Sequence, residues 1–319
     1  MNRINIVTAL RNIILQNLLR RIMRDYWLLE VPFYSNIGDT LIWQGEIDFL
    51  QKVKAKCKGM YSLETFRFQK IMQDDLILFQ GGGNFGDLWP RHHDFKMKVV
   101  DAYPDNRFIF LPQTVYFKDP ENMRRCAKKL SSKAVTICAR DKVSYQILKE
   151  NFDNEILLVP DMAFCIDMDE WRSAIMESGL RTLLLKREDK ELASSETLRR
   201  FEETPGIDIS DWVTFRGDNA CERNFNRLRR VVNRRPLRNL GVGQFLLGAY
   251  MYHIYRPFLV RSGIKQLSAY NEIYTTRLHA GILGLLLGKR IKFFDNTYGK
   301  NSHFYETWLA DCEDMEFLK

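Results

Sequence analysis

The chain lacks any run of the roughly 20 apolar residues that a membrane-spanning helix needs. The nearest approach, Leu240 to Tyr252, is uncharged but too short. No uninterrupted apolar core with a cleavage pattern follows the N-terminus, so no secretory leader is legible. The cysteines, at 57, 126, 138, 165, 221 and 312, form neither a CxxC pair nor a ladder of close spacings. That argues against a disulfide or zinc framework and for free thiols in a reducing compartment. The expected location is therefore cytoplasmic. GxxxxGK[ST], HExxH and GxSxG are all absent, which removes P-loop, zincin and serine-hydrolase readings. There is no internal repeat and no low-complexity segment.

What is present is ordinary globular chemistry, with 45% hydrophobic and 28% charged residues. At 319 residues the chain is long enough for two α/β lobes or one large one. A formal charge of +8 favours anionic partners. Two segments concentrate that charge. Ile6, Leu10, Ile13, Ile14, Leu18 and Ile22 recur at helical spacing with arginines 3, 11, 20, 21 and 24 around them. Such a basic amphipathic helix either packs on its domain or lies on an anionic bilayer, at the inner face of the cytoplasmic membrane. Arginines 223, 227, 229, 230, 234, 235 and 238 form either a solvated helix face or a patch for phosphate, diphosphate-lipid or glycan charge. Aromatic residues interleave poorly with this run and no known binding module is legible, so nucleic acid is not the expected partner.

From Tyr26 the chain repeats an apolar run, a polar loop and, at Thr40–Lys56 and Lys142–Asn151, an amphipathic helix. The runs Trp27–Val31, Leu76–Phe79, Phe108–Leu111, Val135–Cys138 and Ile156–Val159 predict buried strands. The pattern breaks around 166–178 and a second alternation follows. It includes strands at Thr182–Leu185, Glu272–Thr276 and Ile291–Phe294 and a helix at Arg277–Leu287. The expectation is an α/β protein with a parallel, doubly wound sheet in each of two lobes and a central cleft. Residues 1–25 form the N-terminal helix, 26–170 the first lobe and 171–319 the second. Ligands in such sheets bind at the carboxyl ends of the strands.

The most chemically loaded string is Thr275-Thr276-Arg277-Leu278-His279. It joins a β-branched strand to a helix that is apolar almost all round and must be buried. With Thr276 as N-cap, Arg277 and His279 fall in the first turn, where free N–H groups and the helix dipole attract anions. Arginine adds a planar fork for carboxylate or phosphate, and histidine a proton donor or acceptor near neutral pH. Gly81-Gly82-Gly83-Asn84-Phe85-Gly86 formally matches GxGxxG after a strand. The residues after it, Asp87 to Pro90, are a poor helix start, so its expected role is a tight turn or a close backbone approach to a ligand. In Asn36-Ile37-Gly38-Asp39, Asp39 is expected to cap the following helix. In Arg140-Asp141, the aspartate caps while Arg140 points into the cleft. His92, His93 and Asp94 are adjacent in an expected loop without partner spacing, so no metal site is expected.

These segments, with Val159-Pro160-Asp161 and the run Phe294 to Ser302, occur in the order found in the polysaccharide pyruvyl transferase family, in its bacterial capsule and exopolysaccharide branch. The chain resembles that family over roughly residues 30–310, although 190–260 cannot be matched motif by motif. The resemblance implies two Rossmann-like lobes of glycosyltransferase-B type. It implies transfer of a pyruvyl group from phosphoenolpyruvate to two hydroxyls of a sugar, forming a cyclic ketal and releasing phosphate. The acceptor is a sugar, lipid-linked or free, and no cofactor is required. By resemblance Arg277 and His279 bind the donor and act on it, with Arg140 as a further donor-binding residue. Asn36, Asp39, Gly81, Gly82, Gly83, Asn84 and Thr276 are expected against the substrates, as are Lys300, Asn301 and Ser302. Asp39 or Asp141 would take the hydroxyl proton. Two alternatives stay open: a nucleotide-sugar glycosyltransferase, for which Asp295 is the candidate acid, and a non-catalytic glycan-binding protein that kept the fold.

Overall fold

The computed structural model describes residues 1–177, 179, 181–189, 191–193, 195–216, 219–232 and 242–318. Arg234, Arg235 and Arg238 of the expected arginine patch lie outside them. Contacts divide the chain into two compact units. One is Thr8–Val31 with Gly45–Ile166; the other is Met1–Val7, Pro32–Gln44 and Asp167–Lys319. The sequence pattern breaks near 170 and sets residues 1–25 apart; contacts divide at Ile166 and share the N-terminal residues between both units. Helices α1 (Arg3–Leu18) and α2 (Ile37–Leu50) each contribute residues to both.

The 45–166 unit holds β1 (Tyr26–Leu29), β2 (Cys57–Tyr61), β3 (Leu76–Phe79), β4 (Gly82–Gly86), β5 (Arg107–Tyr116), β6 (Val135–Ala139) and β7 (Glu155–Leu158). The sheet runs β2-β1-β3-β5-β6-β7, with β4 also on β5, and every pairing is parallel. Its register aligns Leu28 with Leu78, Leu78 with Ile109 and Ile109 with Thr136. Parallel strands are covered on both faces, so these read as continuous apolar runs. Phe79, Phe85, Phe108 and Phe110 fill the core on one side. The helices are α3 (Pro90–Ala102), α4 (Pro120–Ser131) and α5 (Lys142–Asn151).

Three expectations change here. The glycine run is a strand, not a turn: Gly86 has φ +124°, and a Cβ on it would stand 1.8 Å from the Tyr116 carbonyl oxygen. Only glycine lets β4 approach β5 so closely. A helix does start after it, because Pro90 occupies the first turn, where its missing N–H costs nothing. His92, His93 and Asp94 therefore lie on α3 rather than in a loop. Strand β5 continues through Pro112-Gln113-Thr114, and its register with β6 shifts between Phe110 and Gln113, which accommodates the proline's missing donor.

The 167–319 unit carries β8 (Thr182–Leu185), β9 (Ile207–Ser210), β10 (Glu272–Thr275), β11 (Arg290–Phe293) and β12 (Met315–Phe317). They form a parallel sheet of order β12-β11-β10-β8-β9. Its helices are α6 (Glu196–Glu202), α7 (Ala220–Val232), α8 (Val242–Tyr250), α9 (Arg256–Ser268), α10 (Leu278–Leu286) and α11 (Lys300–Trp308), with a π turn at Met251–Tyr255. Helix α10 packs directly on β11: a Cβ on Gly281 would stand 2.1 Å from the Phe293 ring, and one on Gly284 2.4 Å from Ile291.

Of the two fates open to α1, the packed one is observed. Ile6, Leu10, Ile14, Leu18 and Ile22 are buried, and Arg11 donates to the carbonyls of Phe164 (2.7 Å) and Ile166 (2.8 Å). The apolar face that could have met a bilayer is thus inside the protein. Among the described residues no helix is long and apolar enough to cross a membrane.

Candidate active site

In the 167–319 unit, chemistry collects at the carboxyl ends of four neighbouring strands. After β10 the chain turns at Thr275, whose Oγ1 accepts from the Arg277 N–H (2.9 Å) and donates to the Leu185 carbonyl (2.9 Å). Arg277, not Thr276, occupies the N-cap of α10, with φ −110° and ψ 118° and no side-chain cap. Thr276 is occupied elsewhere, its Oγ1 accepting from the Arg187 N–H after β8 (2.9 Å). His279 lies in the first turn of α10 and is 8% exposed.

Arg277 is a paired arginine. Its Nε and Nη2 both reach Asp211, which follows β9, with Nη2 to Oδ2 at 2.6 Å, and Nη2 makes a longer contact to Asp189 (3.4 Å). The guanidinium lies 5.0 Å from the Phe215 ring centre. Arg187 grips Asp189 through two nitrogens (2.7 and 3.0 Å) and Glu191 through Nη1 (2.7 Å). Lys300 Nζ, the Tyr298 hydroxyl and Asn296 Nδ2 also donate to Glu191, at 3.3, 3.0 and 3.3 Å. Burial alone would raise the Asp189 carboxyl, but the hydrogen bond and charge of Arg187 outweigh it and bring it to about 2. Burial likewise pushes Glu191 up, yet the charges of Lys300 and Arg187 hold it at about 2. Both stay ionised at neutral pH, so the cations are held in place by carboxylates.

The loop before α2 belongs to this same unit. Asn36, not Asp39, caps that helix: its Oδ1 accepts from the Gly38 N–H (2.9 Å) and its carbonyl from Thr40. Asp39 accepts from Asn36 Nδ2 and the Tyr34 hydroxyl, each at 2.9 Å. A Cβ on Gly38 would stand 2.9 Å from His279 Nδ1. Two motifs some 240 residues apart in sequence are thus in contact.

The last motif is mostly scaffold. Asn301 is buried and donates to the carbonyls of Thr276 (3.0 Å) and Phe294 (2.8 Å), tying α11 to the turn before α10. Ser302 donates to Asp295 Oδ2 (2.6 Å). Asp295, the acid that a nucleotide-sugar reading needs, also accepts from the backbone N–H groups of Asn296, Asn301 and Ser302. It serves the start of α11 instead.

The 45–166 unit gathers a second set at its own strand ends. Arg140, expected to point into a cleft, is buried after β6. It donates to Asp161 Oδ2 (2.7 Å) after β7 and to Thr114 Oγ1 (2.8 Å). A Cβ on Gly83 would lie 3.6 Å from Arg140 Nη2. Asp141 caps α5 through the Ser144 N–H (2.7 Å) and also accepts from the Ser144 and Thr114 hydroxyls. The Gly81 N–H donates to Glu46 Oε1 of α2 (2.7 Å). Glu46 is fully buried, and that burial pushes its carboxyl well above the usual range, with Asp161 and Glu30 adding to the rise. Asn84 offers its carbonyl to Lys96 Nζ (3.3 Å), which is paired with Glu30. His92 Nδ1 lies 2.7 Å from Glu30 Oε1, whereas His93 packs between Phe85 and Phe117.

Sequence reading missed Asp189, Glu191, Asp211 and Glu46. Strand β9 is only half-buried, so no apolar run announced Asp211. Glu46 sits in a helix with nothing special around it. The one available signal was Lys186-Arg187-Glu188-Asp189, a charged cluster directly after a buried strand.

A family model described as polysaccharide pyruvyl transferase matches residues 36–296. The chain is 31% identical over 293 residues to "Putative pyruvyl transferase EpsO" of Bacillus subtilis (strain 168), covering 91% of this chain and 87% of that protein. It is 26% identical over 307 residues to "Pyruvyl transferase 1" of Schizosaccharomyces pombe (strain 972 / ATCC 24843), covering 89% and 70%. Among solved structures, an uncharacterized protein of Klebsiella pneumoniae subsp. pneumoniae NTUH-K2044 matches with TM-score 0.60 and 18% identity, covering 99% of this chain and 98% of that one. That likeness is one of fold.

Proposed function

The chain belongs to the polysaccharide pyruvyl transferase family, and from that premise we propose that it transfers pyruvyl from phosphoenolpyruvate to a sugar of an exopolysaccharide or capsule precursor. The observation that carries this reading is the first turn of α10. There a histidine stands beside Arg277, with Arg187 and Lys300 held on the neighbouring strand ends by carboxylates. The donor's carboxylate and phosphate call for such cations at a helix N-terminus.

His279 donates a proton to the methylene carbon C3, and C2 gains cationic character. The oxygen of one sugar hydroxyl bonds to C2 as its proton leaves to a base. The C2–O bond to phosphate then breaks, the departing phosphate takes the proton held by the base, and a second hydroxyl closes on C2 as its proton returns to His279. The products are the cyclic ketal and inorganic phosphate. The donor carries its own leaving group, so no cofactor enters. Asp39 is the better base of the two candidates: Asp141 is fully buried and committed to capping α5, whereas Asp39 is part-exposed in the first turn of α2, next to the Gly38 that touches His279. Arg277 meets the donor from a plane fixed by Asp211, in exchange for its long contact to Asp189.

Incubation with phosphoenolpyruvate and lipid-linked or free glycans, followed by phosphate release and NMR of the ketal methyl, tests this. His279→Ala is expected to abolish ketal formation while keeping donor binding. Arg277→Lys is expected to weaken donor binding by roughly tenfold, because a point charge cannot replace a fork. Absence of phosphate release with every acceptor would sink the reading.

A further inference from the structure

Glu30 follows directly on β1 with φ +72°, the one positive φ outside glycine among the described residues. Such a conformation persists only where its surroundings over-determine it, which happens most at binding and catalytic sites. The Glu30 carboxylate is buried and holds two partners from α3, Lys96 Nζ and His92 Nδ1, each at 2.7 Å. Lys96 is fully buried and also donates to the Asn84 carbonyl of β4 (3.3 Å). Its charge balances that of Glu30, so the pair alone would close this corner of the core. His92 is the member that the packing does not need, and its side chain keeps 18% of its surface in solvent. With Nδ1–H donated to the carboxylate, Nε2 on the far edge of the ring is the accepting nitrogen. Trp89 stands three residues earlier, so the two side chains share one face of the first turn of α3. The indole makes no capping bond and is 36% exposed. All of these groups lie in the 45–166 unit past the carboxyl end of β1, where ligands of open parallel sheets bind.

We propose that Trp89 and His92 form a subsite for a neutral pyranose, with Glu30 as the residue that positions His92. The indole takes the C–H face of the sugar ring, and His92 Nε2 accepts from one of its hydroxyls. A pyranose is apolar on its faces and polar at its rim, so an aromatic surface beside one fixed hydrogen-bonding group matches it. An anionic ligand fits less well, because the Glu30 carboxylate stands directly behind the imidazole. That this sugar is the pyruvyl acceptor rests on the reaction proposed above; that a sugar binds here does not.

Saturation-transfer NMR of the full chain with the methyl glycosides of glucose, galactose, mannose and N-acetylglucosamine, without phosphoenolpyruvate, tests it. At least one glycoside is expected to bind, with the strongest saturation at its ring C–H protons. Trp89→Ala and His92→Ala are each expected to raise its Kd roughly tenfold, and Trp89→Phe to keep it within about threefold. Lys98→Gln, exposed on the same helix, is expected to stay within about twofold. Glu30→Gln paired with Lys96→Met removes both buried charges together. It is expected to weaken binding several-fold and to loosen the His92 tautomer, read from ring 15N shifts, a change that a merely structural pair would not produce. Circular dichroism checks that each variant is folded. No binding of any glycoside by the wild-type chain, or wild-type affinity in both the Trp89→Ala and His92→Ala variants, would overturn the proposal. Glycoside binding that these variants lose, in a chain that releases no phosphate with any acceptor, would sink the reaction and leave the subsite standing.

Discussion

His279 owes its position to a residue without a side chain. Gly38 leaves room for the imidazole, and any Cβ there would stand 2.9 Å from Nδ1, closer than such contacts occur. Gly38→Ala is therefore expected to push the ring out of place and cut turnover at least as far as a misplaced catalytic group does, roughly a hundredfold. The thermal midpoint should stay close to wild type, because the adjustment falls on one ring. Steady-state phosphate release beside a melting curve checks this; unchanged turnover would show that the ring tolerates displacement. Glu46 makes the complementary case in the 45–166 unit. Burial raises its carboxyl well above the ordinary 4.5, so the folded chain keeps a proton that the unfolded chain loses as pH rises past that value. Its contribution to stability is complete below 4.5 and declines as pH rises. Glu46→Gln keeps an oxygen for the Gly81 N–H and removes the titration. Its urea midpoint should gain on wild type as pH rises from about 5 to about 8, above the ordinary 4.5. Glu46→Ala strands a buried N–H and should cost about 1–3 kcal/mol at either pH.

At the scale of elements, helix α10 is aimed by its seat on β11. Gly281 and Gly284 remove side chains where the Phe293 ring and Ile291 come through, so the helix axis lies close to the sheet. Gly281→Ala should overpack this seat and destabilise the chain by about 1–3 kcal/mol. Phe293→Leu in the same chain should recover part of the loss, as denaturant midpoints of both variants would reveal. The loop after β8 is held by charge instead. Asp189 and Glu191 titrate near about 2, below their ordinary 3.8 and 4.5, so the unfolded chain takes up protons first as pH falls. The stability they contribute is present above those ordinary values and lost toward about 2. Glu191→Gln should flatten the wild-type decline in denaturant midpoint across that window.

These elements also explain what was legible in advance. Leu76–Phe79 and Thr182–Leu185 are buried on both faces and read directly as apolar runs. Lys142–Asn151 carries an aspartate cap and helical periodicity, and its bounds follow. β2 and β9 are only partly buried and show no such run. The glycine run is not legible as a strand because that strand is defined by a close approach to Tyr116, a long-range fact. Likewise the string at 275–279 identified Arg277, but its carboxylate partner Asp211 came from another strand.

Long-range dependence is strongest for the molecule as a whole, because its compact units do not follow chain order. Asp167–Lys319 is completed by Pro32–Gln44, which reaches it through several distinct contacts. Ile37 lies where a Cβ on Gly263 would stand 2.8 Å away, Ser35 accepts from the Thr214 hydroxyl (2.8 Å), and Gln44 bonds Arg256. Trp43 packs edge-on against Tyr252 at 6.2 Å and is itself 1% exposed. A fragment of residues 167–319 would lose all of these and expose the surface of Gly263, Tyr252 and Arg256 that they cover. Burying a Trp and an Ile is worth about 1.5–3 kcal/mol each, a large part of the roughly 5–15 kcal/mol that holds a domain folded. The fragment is therefore expected to be unfolded or molten, with rapid proteolysis and no cooperative melt. Supplying residues 1–166 as a separate chain should restore both protease resistance and a cooperative transition, because the missing helix returns with it. A fragment that melts cooperatively alone would show that β8–β12 and their helices carry enough core without α2.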